Sequence, residues 1–158
     1  MTPAINQLKK LNLAYKVHQY THETSAKSYG LEAVEKLNVN AEFVFKTLVV
    51  EVDNNYLAVA VIPVAKQLNL KKLAKTLKAK KIKMAEVSKV ENSTGYLLGG
   101  VSPLGQKKAL TTVLDNSAET LKTIFVSGGK RGLEIELAPH HIVLTLQANY
   151  ADITSEKI

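Results

Sequence analysis

The stretch "FKTLVVEVDNNYLAVAVIP", Phe45 to Pro63, constrains the fold most. It holds two strand-length runs, 45–52 and 56–62, rich in β-branched and apolar residues. The "DNN" between them is a turn signal, so the pair reads as a hairpin. The second run is apolar on both faces, which predicts a central strand covered from both sides. Pro63 ends it, because proline cannot donate to a ladder. With 46% hydrophobic residues in 158, the chain has enough apolar surface to cover such a hairpin.

The rest of the chain supplies the cover. Thr2-Pro3 reads as N-cap and first helical residue of a helix to about Asn12, with Ile5, Leu8 and Leu11 as its stripe. "YKVHQY" (15–20) alternates like a strand, and "THETSAKS" reads as a polar loop. "YGLEAVEKLNV" reads as a short helix with Leu31, Val34 and Leu37 on one face. Asn69 caps a helix whose buried stripe is Leu70, Leu73, Ala74 and Leu77. "KIKMA" reads as a short strand and "EVSKVENS" as a short helix. Residues 109–115, 123–127 and 133–137 read as strands, the last two joined through "SGGKRG" as a hairpin. Pro139 opens a final helix. The elements mix without regular βαβ alternation and with no linker or repeat. This predicts a single α+β domain over residues 1–158 rather than a doubly wound sheet.

Composition narrows the function. The chain has no cysteine, which removes disulfides, thiolate nucleophiles and cysteine-ligated zinc. Its formal charge of +7 favours an anionic partner. No apolar run approaches the roughly 20 residues that span a bilayer, and the N-terminus lacks a signal-peptide core. The expectation is a cytoplasmic protein with no membrane partner. Gly100 and Gly105 have the Walker spacing, but Gln106 stands where the lysine is required, so an ATPase is rejected. There is no Rossmann fingerprint, no H-E-x-x-H and no G-x-S-x-G, so no metal, no cofactor and no hydrolytic triad is expected.

Several residues could carry chemistry. If residues 44–52 are extended, Lys46 shares a face with Val44, Leu48, Val50 and Val52. It either snorkels from the strand's start or reaches into a pocket, where its charge would be little screened. "STGYLLGGVSPLGQKK" (93–108) is either an ordinary turn or a loop that brings backbone close to a ligand through Gly99-Gly100. Pro103 stiffens it. Lys107, in its terminal lysine pair, is a phosphate contact or a solvated charge. Lys130 and Arg131 at the tip of "SGGKRG" have the same two readings. The lysines from Lys71 to Lys83 form a solvated helix face or a patch for phosphate backbone.

"FKTLVV", "STGYLLGGVSPLGQKK" and "FVSGGKRGLEIELAP", in this order, resemble the YbaK/EbsC family of aminoacyl-tRNA editing domains. The likeness runs from "TPAINQLKK" to about Asp152, and the loop carries the family's G-x-x-x-P pattern as Gly99 to Pro103. The resemblance implies a curved, barrel-like mixed sheet flanked by helices. It also implies an activity, hydrolytic clearance of cysteine from mischarged Cys-tRNA(Pro), in trans beside prolyl-tRNA synthetase. Lys46 matches the family's essential lysine. Tyr20, Tyr29, Thr47, Gly99 and Ser127 fall at positions that line its pocket. Tyr29 stands where relatives often have Phe, and Glu134 where some have Asp.

In this family the substrate's own thiol is thought to attack its ester carbonyl, which suits a chain without a triad. The protein would then fold the substrate into an attack geometry and stabilise developing negative charge. Backbone N–H groups around Gly99-Gly100 are candidates for the carbonyl oxygen, and Lys46 for the terminal nucleotide. The alternatives are a deacylase for another small amino acid such as Ala, a non-catalytic tRNA-binding module, and a basic scaffold that binds the synthetase.

Overall fold

The computed structural model describes residues 1–24 and 28–157. The middle of the expected "THETSAKS" loop, residues 25–27, lies outside them. The elements run α1 (Pro3–Lys10), β1 (Lys16–Gln19), α2 (Tyr29–Leu37), β2 (Phe45–Val52), β3 (Tyr56–Pro63), β4 (Lys66–Leu68) and α3 (Leu70–Leu77). They continue with β5 (Ile82–Met84), α4 (Val87–Thr94), β6 (Thr111–Asp115), β7 (Ile124–Ser127) and β8 (Leu133–Leu137). α5 (Pro139–Leu146), β9 (Asn149–Ala151) and β10 (Thr154–Glu156) close the chain.

The expected hairpin is the centre of a five-stranded mixed sheet, ordered β5-β2-β3-β6-β9. β2 and β3 pair antiparallel from Phe45↔Pro63 to Val52↔Tyr56. Asp53 and Asn54 turn between them in left-handed backbone, φ 51° each, which these two residue types tolerate. β3 is central, and its residues 58–63 are buried. A second sheet, β1-β8-β7, and a two-stranded β10-β4 ribbon stand beside the first. The expected α+β class is therefore what folds. The sheets are not closed into a barrel, which corrects the barrel-like expectation.

Alternation sorts β2 and β3 between two cores. Phe45, Val49, Val59 and Val61 pack with Leu8, Ile135 and Ile142. Val50, Val52, Ala60 and Ile62 pack under Leu73 of α3 and Ile153. α3 begins as expected, with the Asn69 side chain accepting from Lys72 N–H. It ends earlier than the lysine run implies: Lys78 is left-handed at φ 56°. Lys80 and Lys81 follow the helix, and Lys83 belongs to β5.

Two stripe residues are displaced. Leu11 and Leu31 are exposed, 47% and 45%. α1 stops at Lys10, so Leu11 is only its C-cap, and α2 turns Ala33 inward instead. Three strands were not expected. β4, β9 and β10 have three residues each, too short to show a period, and they pair with partners distant in sequence.

Candidate active site

The site arises where β2 loses a neighbour. β5 pairs with β2 only over Val50–Val52, so the edge of Phe45–Leu48 is not laddered by β5. On this side Val44 touches Phe125 of β7 through a single bridge, which joins the two sheets at one point. A cavity of about 300 Å³ opens beside that edge. Its wall takes residues from β2, the start of α2, the loop after α4, and the β7–β8 hairpin.

Of the sequence candidates, Tyr20, Tyr29, Lys46, Thr47, Gly99, Ser127, Lys130 and Arg131 line this cavity. Gly100, Pro103 and Lys107 do not belong to its lining. Pro103 is buried, and Lys107 is exposed with its N–H bound to Thr94 C=O at 2.9 Å. Gly100 N–H donates to Leu97 C=O at 3.0 Å, so it is committed within the turn. Gly100 instead permits close packing: a Cβ there would lie 2.8 Å from the Lys130 Cα.

Lys46 is half-buried and, among the described residues, makes no ion pair or hydrogen bond. Burial, then the nearby Lys157 charge, hold its ammonium below the usual lysine range. Thr47 lines the cavity, and its buried hydroxyl has no hydrogen-bond partner among the described residues, which is uncommon for a buried polar group. Tyr20 is pushed up to about 12, by burial first and by Glu134 and Glu32 second, so its O–H remains a donor. Ser127 Oγ accepts from Gly129 N–H at 3.1 Å, which tightens the hairpin.

The upper wall is held by stacking. The Arg131 guanidinium lies 3.9 Å from the Tyr29 ring centroid. Its Nη1 is 3.4 Å from His22 Nε2. His22 Nδ1 in turn meets the Glu32 carboxylate at 2.6 Å. Gly99, φ 92°, presses on this stack.

Glu134 is the residue that sequence reasoning set aside. It lines the cavity, is 8% exposed and, among the described residues, makes no hydrogen bond or ion pair. Burial pushes its carboxyl up to about 8. In β8 the glutamates alternate with Leu133, Ile135 and Leu137, so the pattern alone reads as a solvent face. The signal that could have found it is register: Glu134 sits opposite Ser127 and His18, beside Phe125 of β7, against which Ala33 of α2 packs.

No group of three or more metal-ligating side chains occurs among the described residues, and no described helix is long and apolar enough to cross a membrane. The arrangement suits a small polar group that enters an enclosed space. It meets the Lys46 ammonium inside, Lys130 and Arg131 at the lip, the hydroxyls of Tyr20, Thr47 and Ser127, and the Glu134 carboxyl, and no described nucleophile there is hydrogen-bonded to a base.

The model of the aminoacyl-tRNA editing domain matches residues 23–143. EbsC of Enterococcus faecalis, described as a candidate Cys-tRNA(Pro)/Cys-tRNA(Cys) deacylase, is 38% identical over 99% of this chain and 94% of its own. The crystal structure of hypothetical protein APE2540 superposes with a TM-score of 0.87 at 24% identity, covering 98% of this chain and 100% of that one. A candidate trans-editing enzyme for prolyl tRNA synthetase superposes at 0.83 and 19% identity, covering 98% and 99%. These two likenesses are of fold. The extent of the family match and the full-length relative settle the remaining point: the chain belongs to the aminoacyl-tRNA editing domain family.

Proposed function

We propose that this chain, an aminoacyl-tRNA editing domain and so an ester-cleaving deacylase, removes cysteine from mischarged Cys-tRNA(Pro). Residues 1–158 act as one domain, in trans, beside prolyl-tRNA synthetase. The observation that carries the reading is Lys46, a half-buried ammonium without a carboxylate partner among the described residues, on the wall of a small cavity. The 38% identity to EbsC supports the choice of amino acid.

The aminoacyl group enters the cavity, and its thiol gives up a proton. The sulfur then attacks the carbonyl carbon of its own ester. The C–O bond to the ribose breaks, the ribose oxygen takes a proton, and a four-membered thiolactone leaves. Water later opens it to free cysteine. The protein supplies confinement and charge. Holding sulfur against carbonyl removes most of the orientational barrier. Lys46 stabilises the negative oxygen, or the phosphate beside it, in a site where water screens little. The Thr47 hydroxyl donates to the same oxygens, and Tyr20 and Tyr29 shape the space. The Gly99 amide is the candidate backbone donor of the loop, since Gly100 N–H is already bonded. Lys130 and Arg131 stand at the cavity's lip, where Arg131 holds Tyr29 by stacking.

The test is deacylation of Cys-tRNA(Pro) by Lys46→Ala, after its fold is verified by circular dichroism. The expected loss is about a hundredfold or more, the scale of removing one stabiliser of transition-state charge. Turnover near wild type would remove Lys46 from the mechanism.

A further inference from the structure

Lys46 belongs to two concavities. Besides the cavity described above, it lines a second, more open groove of about 450 Å³. Lys46 and Leu48 are the residues common to both walls. The groove follows from the topology. β2 carries Lys46 and Leu48 on the same face as Val50 and Val52, but only the latter pair is buried with Leu73 of α3. The rest of the groove's wall comes from Gln67 and Leu68 of β4, Leu70 at the start of α3, Met84 of β5 and Lys157 just after β10.

The groove has two chemical characters. Leu48, Leu68, Leu70 and Met84 give it an apolar floor, with Met84 48% exposed. Lys46 and Lys157 give it two cations. The acidic residue of that ribbon is turned to other work, since Glu156 pairs with Lys66. The Lys157 charge bears unfavourably on Lys46, so the two ammonium groups repel across the groove. Such a pair is relieved by an anion between them. The floor suits a flat apolar body attached to that anion.

We infer that this groove seats the 3′-terminal nucleoside of the tRNA, with its base on the Leu48–Leu68–Leu70–Met84 floor and its 5′ phosphodiester between Lys46 and Lys157. The inference rests on the deacylase reading and adds where the nucleic acid leaves the catalytic cavity. It leaves over β4 and the chain end after β10, not over the Lys130–Arg131 hairpin. Lys46 then stands at the junction of the amino acid and its nucleotide. Lys157 touches only the phosphate.

The experiment compares two minimal substrates, 3′-O-cysteinyl adenosine, which has no phosphate, and the cysteinyl ester of the dinucleotide CpA, which has one phosphodiester. In the wild type, kcat/KM for the dinucleotide ester should be about tenfold higher, the scale of one charge-assisted contact. Lys157→Ala should lower that ratio severalfold, the Lys46 contact to the phosphate remaining. Lys157 is exposed, and the ratio is taken within one protein preparation, so a partly unfolded sample does not imitate the effect. Lys157→Arg should retain most of the ratio. Direct titration of CpA should show weaker binding to Lys157→Ala, with a salt dependence shallower by about 0.7 in log–log slope, as for one lost single-strand phosphate contact. If Lys157→Ala keeps the ratio, or if Lys130→Ala removes it, the assigned path is wrong. If the wild type cleaves neither ester nor Cys-tRNA(Pro), the deacylase reading fails. CpA binding that depends on Lys157 would still support the groove, and equal binding to both proteins would overturn it.

Discussion

Gly99 and Tyr29 are in contact so close that a Cβ on Gly99 would lie 2.5 Å from Tyr29 Cε2. The same Cβ would lie 2.8 Å from Arg131 Nε. Three segments distant in sequence therefore meet at one backbone position: the loop after α4, the first residue of α2, and the tip of the β7–β8 hairpin. The meeting forms the upper wall of the cavity.

Gly99→Ala should accordingly be costly in two ways. Its φ of 92° disfavours any side chain, and the methyl would displace the Tyr29–Arg131 stack. We expect kcat/KM to fall by about one to two orders of magnitude, as for a wall moved by roughly 1 Å. The melting temperature should fall by about 3 °C per kcal/mol of strain in a chain of this size. An alanine variant with wild-type activity would show that the loop does not position substrate.

Thr47→Val separates function from stability. The hydroxyl is buried without a partner among the described residues, and such a group costs about 1–3 kcal/mol. Valine has nearly the same shape. The variant should melt higher than wild type by a few degrees and deacylate more slowly. A variant that loses stability would mean that the hydroxyl already has a partner in the folded protein.

Glu134 makes stability depend on pH with a definite sign. Its carboxyl is raised to about 8 by burial. Once unfolded, it ionises in the usual carboxylate range. Between those values the folded state holds a proton that the unfolded state has lost. Stability is therefore favoured at the acid end and falls as pH rises through this window. Tyr20, Lys46, Lys130 and Arg131 line the same cavity, His18 sits opposite in register with its ring on Glu136, and none of them pairs with the Glu134 carboxyl. Glu134→Gln removes the proton linkage. Its melting temperature, relative to wild type, should climb between pH 5 and pH 8. A constant difference across that range would show that Glu134 ionises normally in the folded protein.

The hairpin at residues 45–63 was legible because both signals it carries are local: alternation, and a turn of residues that accept left-handed backbone. The same alternation put Lys46 on an apolar face and so marked it. The family motifs marked Tyr20, Thr47 and Ser127. What the sequence hid was non-local. Glu134 looks solvent-facing until β8 is paired with β7 and the start of α2 is found on the same cavity wall. Lys157 has no motif and matters only because β10 pairs with β4, 86 residues away between Thr154 and Leu68. Gly100 read as a free amide, but the Leu97 carbonyl had already taken it.

In the proposed reaction the substrate's own thiol cleaves the ester while the protein confines it. The direct measurement is a side-by-side deacylation of Cys-, Ser- and Ala-tRNA(Pro) by the wild-type protein under single-turnover conditions. The Cys ester should be lost rapidly, and the Ser and Ala esters should survive at the uncatalysed rate. Cleavage of Ala-tRNA(Pro) at a rate comparable to Cys-tRNA(Pro) would contradict it, since alanine has no group that could attack.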